Sequence, residues 1–156
     1  MKKCTRQIAI KKILKLNPNA LIISSAGYTS RALYNVEDNS KHFYMMGSMG
    51  SALPFAMGIA LNTDRQVVVI VGDGEILMGY SSLILTEKLK LENLSIYILD
   101  NNMYQSTGGQ PTCSEFLPRC GFNVCTIEIE DNKIPPRIPL KHKDISRRFY
   151  EEINGT

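Results

Sequence analysis

At 156 residues, with 44% hydrophobic and 21% charged side chains, the chain has the composition of one globular domain with room for a core, not of a disordered or fibrous protein. No run of about 18 apolar residues occurs, which argues against a membrane span. Lys11, Lys12 and Lys15 interrupt the apolar stretch that a signal peptide needs, so a soluble, cytoplasmic protein is expected. The net charge of +3 is uneven. Residues 1–15 carry Lys2, Lys3, Arg6, Lys11, Lys12 and Lys15 and no acid, whereas His42 to Gly109 holds three bases and six acids. A basic end suits nucleic acid. Here Ile8, Ile10, Ile13, Leu14 and Leu16 interleave the charges, so an amphipathic helix with a solvated face, able to dock an acidic partner, is the stronger reading, and no nucleic-acid partner is expected.

Residues 5–16 read as this first helix, stopped at Asn17-Pro18-Asn19. Ala20 to Ser25 is a short apolar run rich in β-branched residues, expected as a buried strand, and it opens into Ala26-Gly27-Tyr28-Thr29-Ser30-Arg31. A short helix is expected over Arg31 to Asp38, and a weaker strand over His42 to Met46. Gly47-Ser48-Met49-Gly50-Ser51 precedes ALPFAMGIALN, a run apolar almost all round and so expected to lie buried between layers, with Pro54 tolerated in its first turn. Val67–Val71 has the unbroken β-branched character of a central parallel strand. Ile76 to Leu91 has helical spacing, with Leu77, Leu83, Ile84, Leu85, Leu89 and Leu91 expected inward, and Leu94–Leu99 is the next strand. Ser114 to Gly121 is expected as a short helix, Asn123 to Glu130 as a strand, and Ile134 to Pro139 as an extended crossing. A last helix from Asp144 has Ile145, Phe149, Tyr150 and Ile153 as its inner face.

Cys4, Cys113, Cys120 and Cys125 form no CxxC pair, and two distant histidines complete no zinc set. Cys120 and Cys125 are read as buried thiols of a reducing compartment, with a disulfide between them as the alternative. Strands alternating with helices predict a three-layer α/β sandwich with a mostly parallel sheet, one domain over residues 1–156. Ligands in such folds bind beyond the carboxyl ends of the strands, where the glycine-rich loops fall.

The stretch from Val67 to Thr112 carries the chemistry. The first strand ends in Gly72-Asp73-Gly74, a carboxylate at a turn where another group can approach the backbone closely. The helix that follows offers N–H groups to an anion. The next strand ends in Asp100-Asn101-Asn102, with Asn101 placed 28 residues after Asp73. One carboxylate, one amide oxygen, a main-chain carbonyl and phosphate oxygens would make an octahedral magnesium-type site. Helix capping at Asp73 and turn formation at Asn101 and Asn102 are the plainer alternatives.

GDG followed by that asparagine resembles the signature of thiamine diphosphate-dependent enzymes. Gly47-Ser48-Met49-Gly50, GDGEILMGYSS, LDNNMYQSTGGQPT, SSAGYTSRALY and ISRRFYEEI are similar to the phosphonopyruvate and sulfopyruvate decarboxylase branch, from about Leu21 to Ile153. The resemblance implies a thiamine diphosphate-binding fold, with thiamine diphosphate and Mg²⁺ as cofactors. It implies Asp73, the Asn101 side chain and the Met103 main-chain oxygen as metal ligands, and Gly74 and Glu75 N–H groups on the diphosphate. It puts Gly47, Ser48, Gly72, Met78, Asn101 and Tyr104 about the cofactor, with Met49 as the apolar wedge beneath it, and Ser106, Thr107, Gly108 and Gly109 on the substrate side.

Three departures stand out. Glu75 brings a negative charge beside a diphosphate, Ser51 replaces a histidine of some relatives, and the region after Glu130 is shortened, which threatens an open sheet edge. The resemblance further implies that the activating glutamate comes from a pyrimidine-binding domain for which this chain has no room. No catalytic residue is therefore assigned here. The implied protein is one subunit of a hetero-oligomeric 2-oxoacid decarboxylase. A catalytically silent cofactor-binding subunit and a decarboxylase for another 2-oxoacid are the alternatives, while the absence of GxGxxG and GxxxxGK[ST] argues against a nucleotide-binding domain.

Overall fold

The computed structural model describes residues 3–130 and 133–155. The chain runs α1 (Arg6–Leu16), β1 (Leu21–Ser24), α2 (Tyr28–Val36), β2 (His42–Tyr44), α3 (Ala52–Ala60), β3 (Val67–Gly72), α4 (Asp73–Met78), α5 (Tyr80–Leu89), β4 (Leu94–Asp100), β5 (Cys120–Gly121), β6 (Val124–Glu128) and α6 (His142–Asn154). Single 3₁₀ turns fall at Gln105–Thr107 and Ser114–Phe116. The sheet order is β2-β1-β3-β4-β6-β5, parallel throughout except for β5 against β6.

The β-branched run at Val67–Val71 lies at the centre with all five side chains fully buried. Each contributes about 1.5–3 kcal/mol of transfer free energy on burial. Alternation along the strand divides the core. Val67, Val69 and Val71 pack with Leu53, Ala56, Met57, Ile76 and Leu83 from α3, α4 and α5 on one face. Val68 and Ile70 pack with Ala9, Ile10, Ile13, Ala32 and Leu33 from α1 and α2 on the other. Three layers result. Thr5 starts α1 by accepting the Ile8 N–H, and Ala9, Ile10 and Ile13 hold it on the sheet, leaving Ile8 and Leu16 exposed.

Several expectations are corrected. The 76–91 segment is two helices, because Gly79 ends α4 and starts α5 where the Gly50 backbone packs directly against it. The break shifts the helical phase: Leu83 is buried, but Ile84, Leu85 and Leu89 are exposed. The short helix from α2 starts three residues earlier than expected, at Tyr28. Helix α3 is buried on one side only, since Pro54, Gly58 and Leu61 face outward. Ser114 to Gly121 is no helix beyond its first turn, because Cys120–Gly121 pairs with β6 as a hairpin strand. Cys120 and Cys125 are exposed, not buried, and all four cysteines are free thiols. Tyr150 faces outward on α6, while Ile145 and Phe149 are inward. The sheet edge is not left bare: β5 meets the start of β6, and Cys4 bridges to Ile129 beyond its end.

Candidate functional site

Strand β1 leads through α2 on one face of the sheet, and β3 leads through α4 on the other, so the loops after β1 and β3 part company between them. This is the topological switch point at which open α/β sheets bind ligands. A cleft of about 360 Å³ lies there, lined by Arg6, the Ser25–Thr29 loop, Gly47–Met49, Gly72–Glu75, Leu99, Asn101 and Met103–Ser106. Of the residues expected from sequence, Gly47, Ser48, Met49, Gly72, Asp73, Gly74, Glu75, Asn101, Met103, Tyr104 and Ser106 all line it. Met78 does not: it is exposed and packs against Gly50. Thr107, Gly108 and Gly109 are exposed and lie outside the lining set. Their loop folds back on Tyr104, whose carbonyl accepts the Thr107 and Gly109 N–H groups at 3.1 and 3.0 Å. Positive φ at Gly108 and Gly109 makes that reversal possible.

Asp73, which opens α4 directly after β3, lines the cleft and is only 2% exposed. Burial pushes its carboxyl above the usual range and the nearby Asp100 adds to this, while the Thr112 hydroxyl, donating to Oδ2 at 2.5 Å, and the Gly74 N–H oppose it. Asn101, ending the neighbouring strand β4, presents Oδ1 3.0 Å from Asp73 Oδ1 and 3.0 Å from the Met103 carbonyl oxygen. Ligands about 2.1 Å from a magnesium ion and at right angles to one another stand about 3.0 Å apart. Asn101 Oδ1 thus stands from each of the other two oxygens at the spacing of adjacent octahedral corners. Without a cation, the Asn101 amide turned over would donate to both neighbours. A cation favours the oxygen-inward orientation, in which Nδ2 donates to Gln105 Oε1 at 3.2 Å. Among the described residues no three His, Cys, Asp or Glu side chains cluster, so a metal here relies on amide and main-chain oxygens.

The loop that carries Asn101 and Met103 is itself held. Asp100, buried at the end of β4, accepts the Asn102 N–H at 3.0 Å and the Arg119 guanidinium at 2.8 Å. Asn102 adopts a left-handed φ of 58°, which asparagine tolerates. Gly74 could not be another residue here, because a Cβ would run into the Tyr104 ring. Met49 is 46% exposed and its methyl group lies beside Gly74, at the lip of the cleft. The Glu75 side chain turns away from the cleft to accept the Ala52 N–H at 3.2 Å, at the N-terminus of α3. That helix end favours a negative charge. The Glu75 main chain is therefore left to the cleft without its carboxylate.

Sequence reasoning missed three contributors. Thr112 reaches Asp73 from 39 residues away. The Ser25–Thr29 loop enters because β1 is the neighbour of β3, a signal available from the rule on parallel strand ends. Arg6, buried on α1, brings a guanidinium to the cleft, donates to Gln105 Oε1 at 2.8 Å and lies 5.9 Å from the Tyr28 ring. No local pattern distinguishes it from the other five bases of the first 15 residues. It is the one basic side chain in the lining, facing the Asp73 carboxylate, since that of Glu75 is turned to the Ala52 N–H.

A family profile described as thiamine pyrophosphate enzyme, C-terminal TPP binding domain, matches residues 24–124. The sulfopyruvate decarboxylase subunit beta of Methanothermobacter thermautotrophicus is 34% identical over 94% of this chain and 94% of its own length. The phosphonopyruvate decarboxylase of Streptomyces hygroscopicus is 47% identical over 77% of this chain but only 32% of its own length. A crystal structure from Mycobacterium smegmatis, of an enzyme assigned to the thiamin diphosphate-dependent class, superposes with a TM-score of 0.59 at 22% identity, over 70% of this chain and 23% of the other, a likeness of fold. With the profile spanning residues 24–124 and a relative 34% identical over nearly its whole length, the chain belongs to the thiamine diphosphate-dependent enzymes and carries their C-terminal cofactor-binding domain.

Proposed function

We propose that residues 1–156 form the diphosphate-binding subunit of a thiamine diphosphate-dependent 2-oxoacid decarboxylase. It converts sulfopyruvate or phosphonopyruvate to the aldehyde and CO₂, and is active only with a pyrimidine-binding partner subunit. The observation that carries this reading is the convergence of Asp73 and the Met103 carbonyl on Asn101 Oδ1, 3.0 Å from each, beside an open helix N-terminus. The names of the relatives supply the reaction and the two substrates.

In this reading Mg²⁺ is held by Asp73 Oδ1, Asn101 Oδ1 and Met103 O. The Asp73 carboxylate makes the cleft a poor host for a bare diphosphate, so a divalent cation would accompany the diphosphate there. The Gly74 and Glu75 N–H groups and the Ser25–Thr29 loop bind the diphosphate, and Met49, Gly72 and Tyr104 set its attitude. Arg6 and Ser106, the latter next to the Gln105 that accepts from Arg6, both line the cleft and suit the anionic end of a substrate. Bound thiamine diphosphate supplies the electron sink for loss of CO₂. This chain's residues anchor, orient and shield. Exposed Met78, Tyr80, Ile84, Leu85 and Leu89 along α4 and α5 support a partner on that flank.

Turnover tests the proposal. The chain and a pyrimidine-binding partner, each inactive alone, should release CO₂ from sulfopyruvate or phosphonopyruvate when mixed with thiamine diphosphate and Mg²⁺. Turnover by the chain alone would overturn the half-site reading, and a complex that binds cofactor but releases no CO₂ would favour a silent subunit.

A further inference from the structure

The hairpin at the far edge of the sheet holds two exposed thiols that the proposed reaction does not use. Cys120 on β5 and Cys125 on β6 are direct partners in the antiparallel register, beside the pair Gly121 and Val124. The connecting turn is only Phe122 and Asn123, with Asn123 at a left-handed φ of 57°. On the far side, the Thr126 N–H donates to the Arg119 carbonyl at 3.1 Å. Antiparallel pairs alternate between hydrogen-bonded and non-hydrogen-bonded, so the cysteines occupy the non-hydrogen-bonded position between two bonded ones. Side chains opposed at such a position project from the same face. Their Cα atoms stand about 4.5 Å apart, inside the range of about 4.4–6.8 Å that a disulfide spans. Both side chains are open to solvent and to reagents.

We infer that Cys120 and Cys125 form a reversible dithiol–disulfide site, oxidised by small-molecule disulfides of the glutathione type. One thiol, as its thiolate, attacks the small-molecule disulfide and expels one thiolate. The second cysteine thiolate then attacks the mixed disulfide and expels the other. The protein loses two protons and two electrons, and one small-molecule disulfide becomes two thiols. Register and turn hold the two residues directly opposite each other, whereas exposed Cys113 and half-buried Cys4 have no cysteine opposite them. The hairpin also carries Arg119, which holds Asp100 and through it the turn of Asn101 and Met103. The thiol pair therefore sits one residue from the support of the proposed metal loop.

Trypsin separates the candidates, because Cys120 and Cys125 share the peptide that runs from Cys120 to Lys133, while Cys113 and Cys4 fall in others. The reduced full-length chain is incubated with oxidised glutathione, alkylated, digested and weighed by mass spectrometry. The 120–133 peptide should lose both alkylation sites and be lighter than its reduced form by two hydrogen atoms, with both sites restored by dithiothreitol. Cys113 should stop at a mixed disulfide. In Cys125→Ser, Cys120 should likewise stop at a mixed disulfide. Two separate glutathione adducts on the 120–133 peptide, continued alkylation of both thiols once Cys113 has reacted, or linkage of Cys120 to another chain would each overturn the inference.

Discussion

Ile13 and Ile84 lie on helices that cover opposite faces of the same sheet, and only one of them is covered. Ile13 of α1 is 1% exposed, whereas Ile84 of α5 is 62% exposed. The contrast extends along both helices. Arg6, Ala9, Ile10 and Ile13 are buried on α1, while α5 buries only Leu83 and Thr86. One face is finished by the chain itself. The other presents an apolar flank of the kind that subunits share, and the candidate cleft lies where the two meet, with Arg6 from one side and Asp73 to Glu75 from the other.

The largest effect is expected at that meeting point. Asp73→Ala or Asn101→Ala should abolish Mg²⁺-dependent binding of thiamine diphosphate by the assembled complex, read by calorimetric titration, with the circular dichroism spectrum unchanged. Normal binding by either variant would sink the assignment of the metal ligands. Next, Ile84→Glu combined with Leu85→Glu should prevent assembly with the partner, measured by analytical ultracentrifugation, while leaving the chain's own melting temperature nearly unchanged. Retained assembly would show that α5 is not the shared flank.

Stability sharpens the same contrast. Ile13→Ala should cost about 2–4 kcal/mol in urea unfolding of the chain. Ile84→Ala should stay within about 0.5 kcal/mol, as for surface substitutions in general. Equal losses would erase the distinction between the two faces. The smallest effect concerns pH on the finished face. Burial of His42 pushes its imidazole below the ordinary 6.5, outweighing the Glu37 carbonyl 3.2 Å from Nδ1 and the nearby acids. The unfolded chain then takes up the proton first as pH falls. Stability should be complete above pH 6.5 and decline as pH drops through the lowered folded value. His42→Phe should flatten that decline in urea unfolding followed from pH 7 downward, and an unchanged slope would place the titration elsewhere.

How much of this was legible in the residues depends on how local each signal is. The β-branched runs before Asp73 and Asn101 announced two central strands, and their chain ends put both side chains at one sheet edge, because parallel strands end on the same side. The contradicted expectations are those that rested on continued periodicity. Leu85 and Leu89 are expected inward on one long helix, but Gly79 breaks the axis against Gly50, which lies far back in the chain. Cys120-Gly121 has the composition of a helix end, yet two residues pairing with β6 decide otherwise.

Composition and local pattern thus determined the fold class and the central strands, which depend on a strand's two-residue alternation and a helix's period. The parallel order of successive strands then brought Asp73 and Asn101 to one edge. Only the tertiary structure decided that Arg6 turns into the cleft, that Thr112 reaches Asp73, that the Glu75 carboxylate leaves for the N-terminus of α3, and that α5 keeps an open apolar face. Each of these depends on where a distant element packs, and packing is settled by the whole chain.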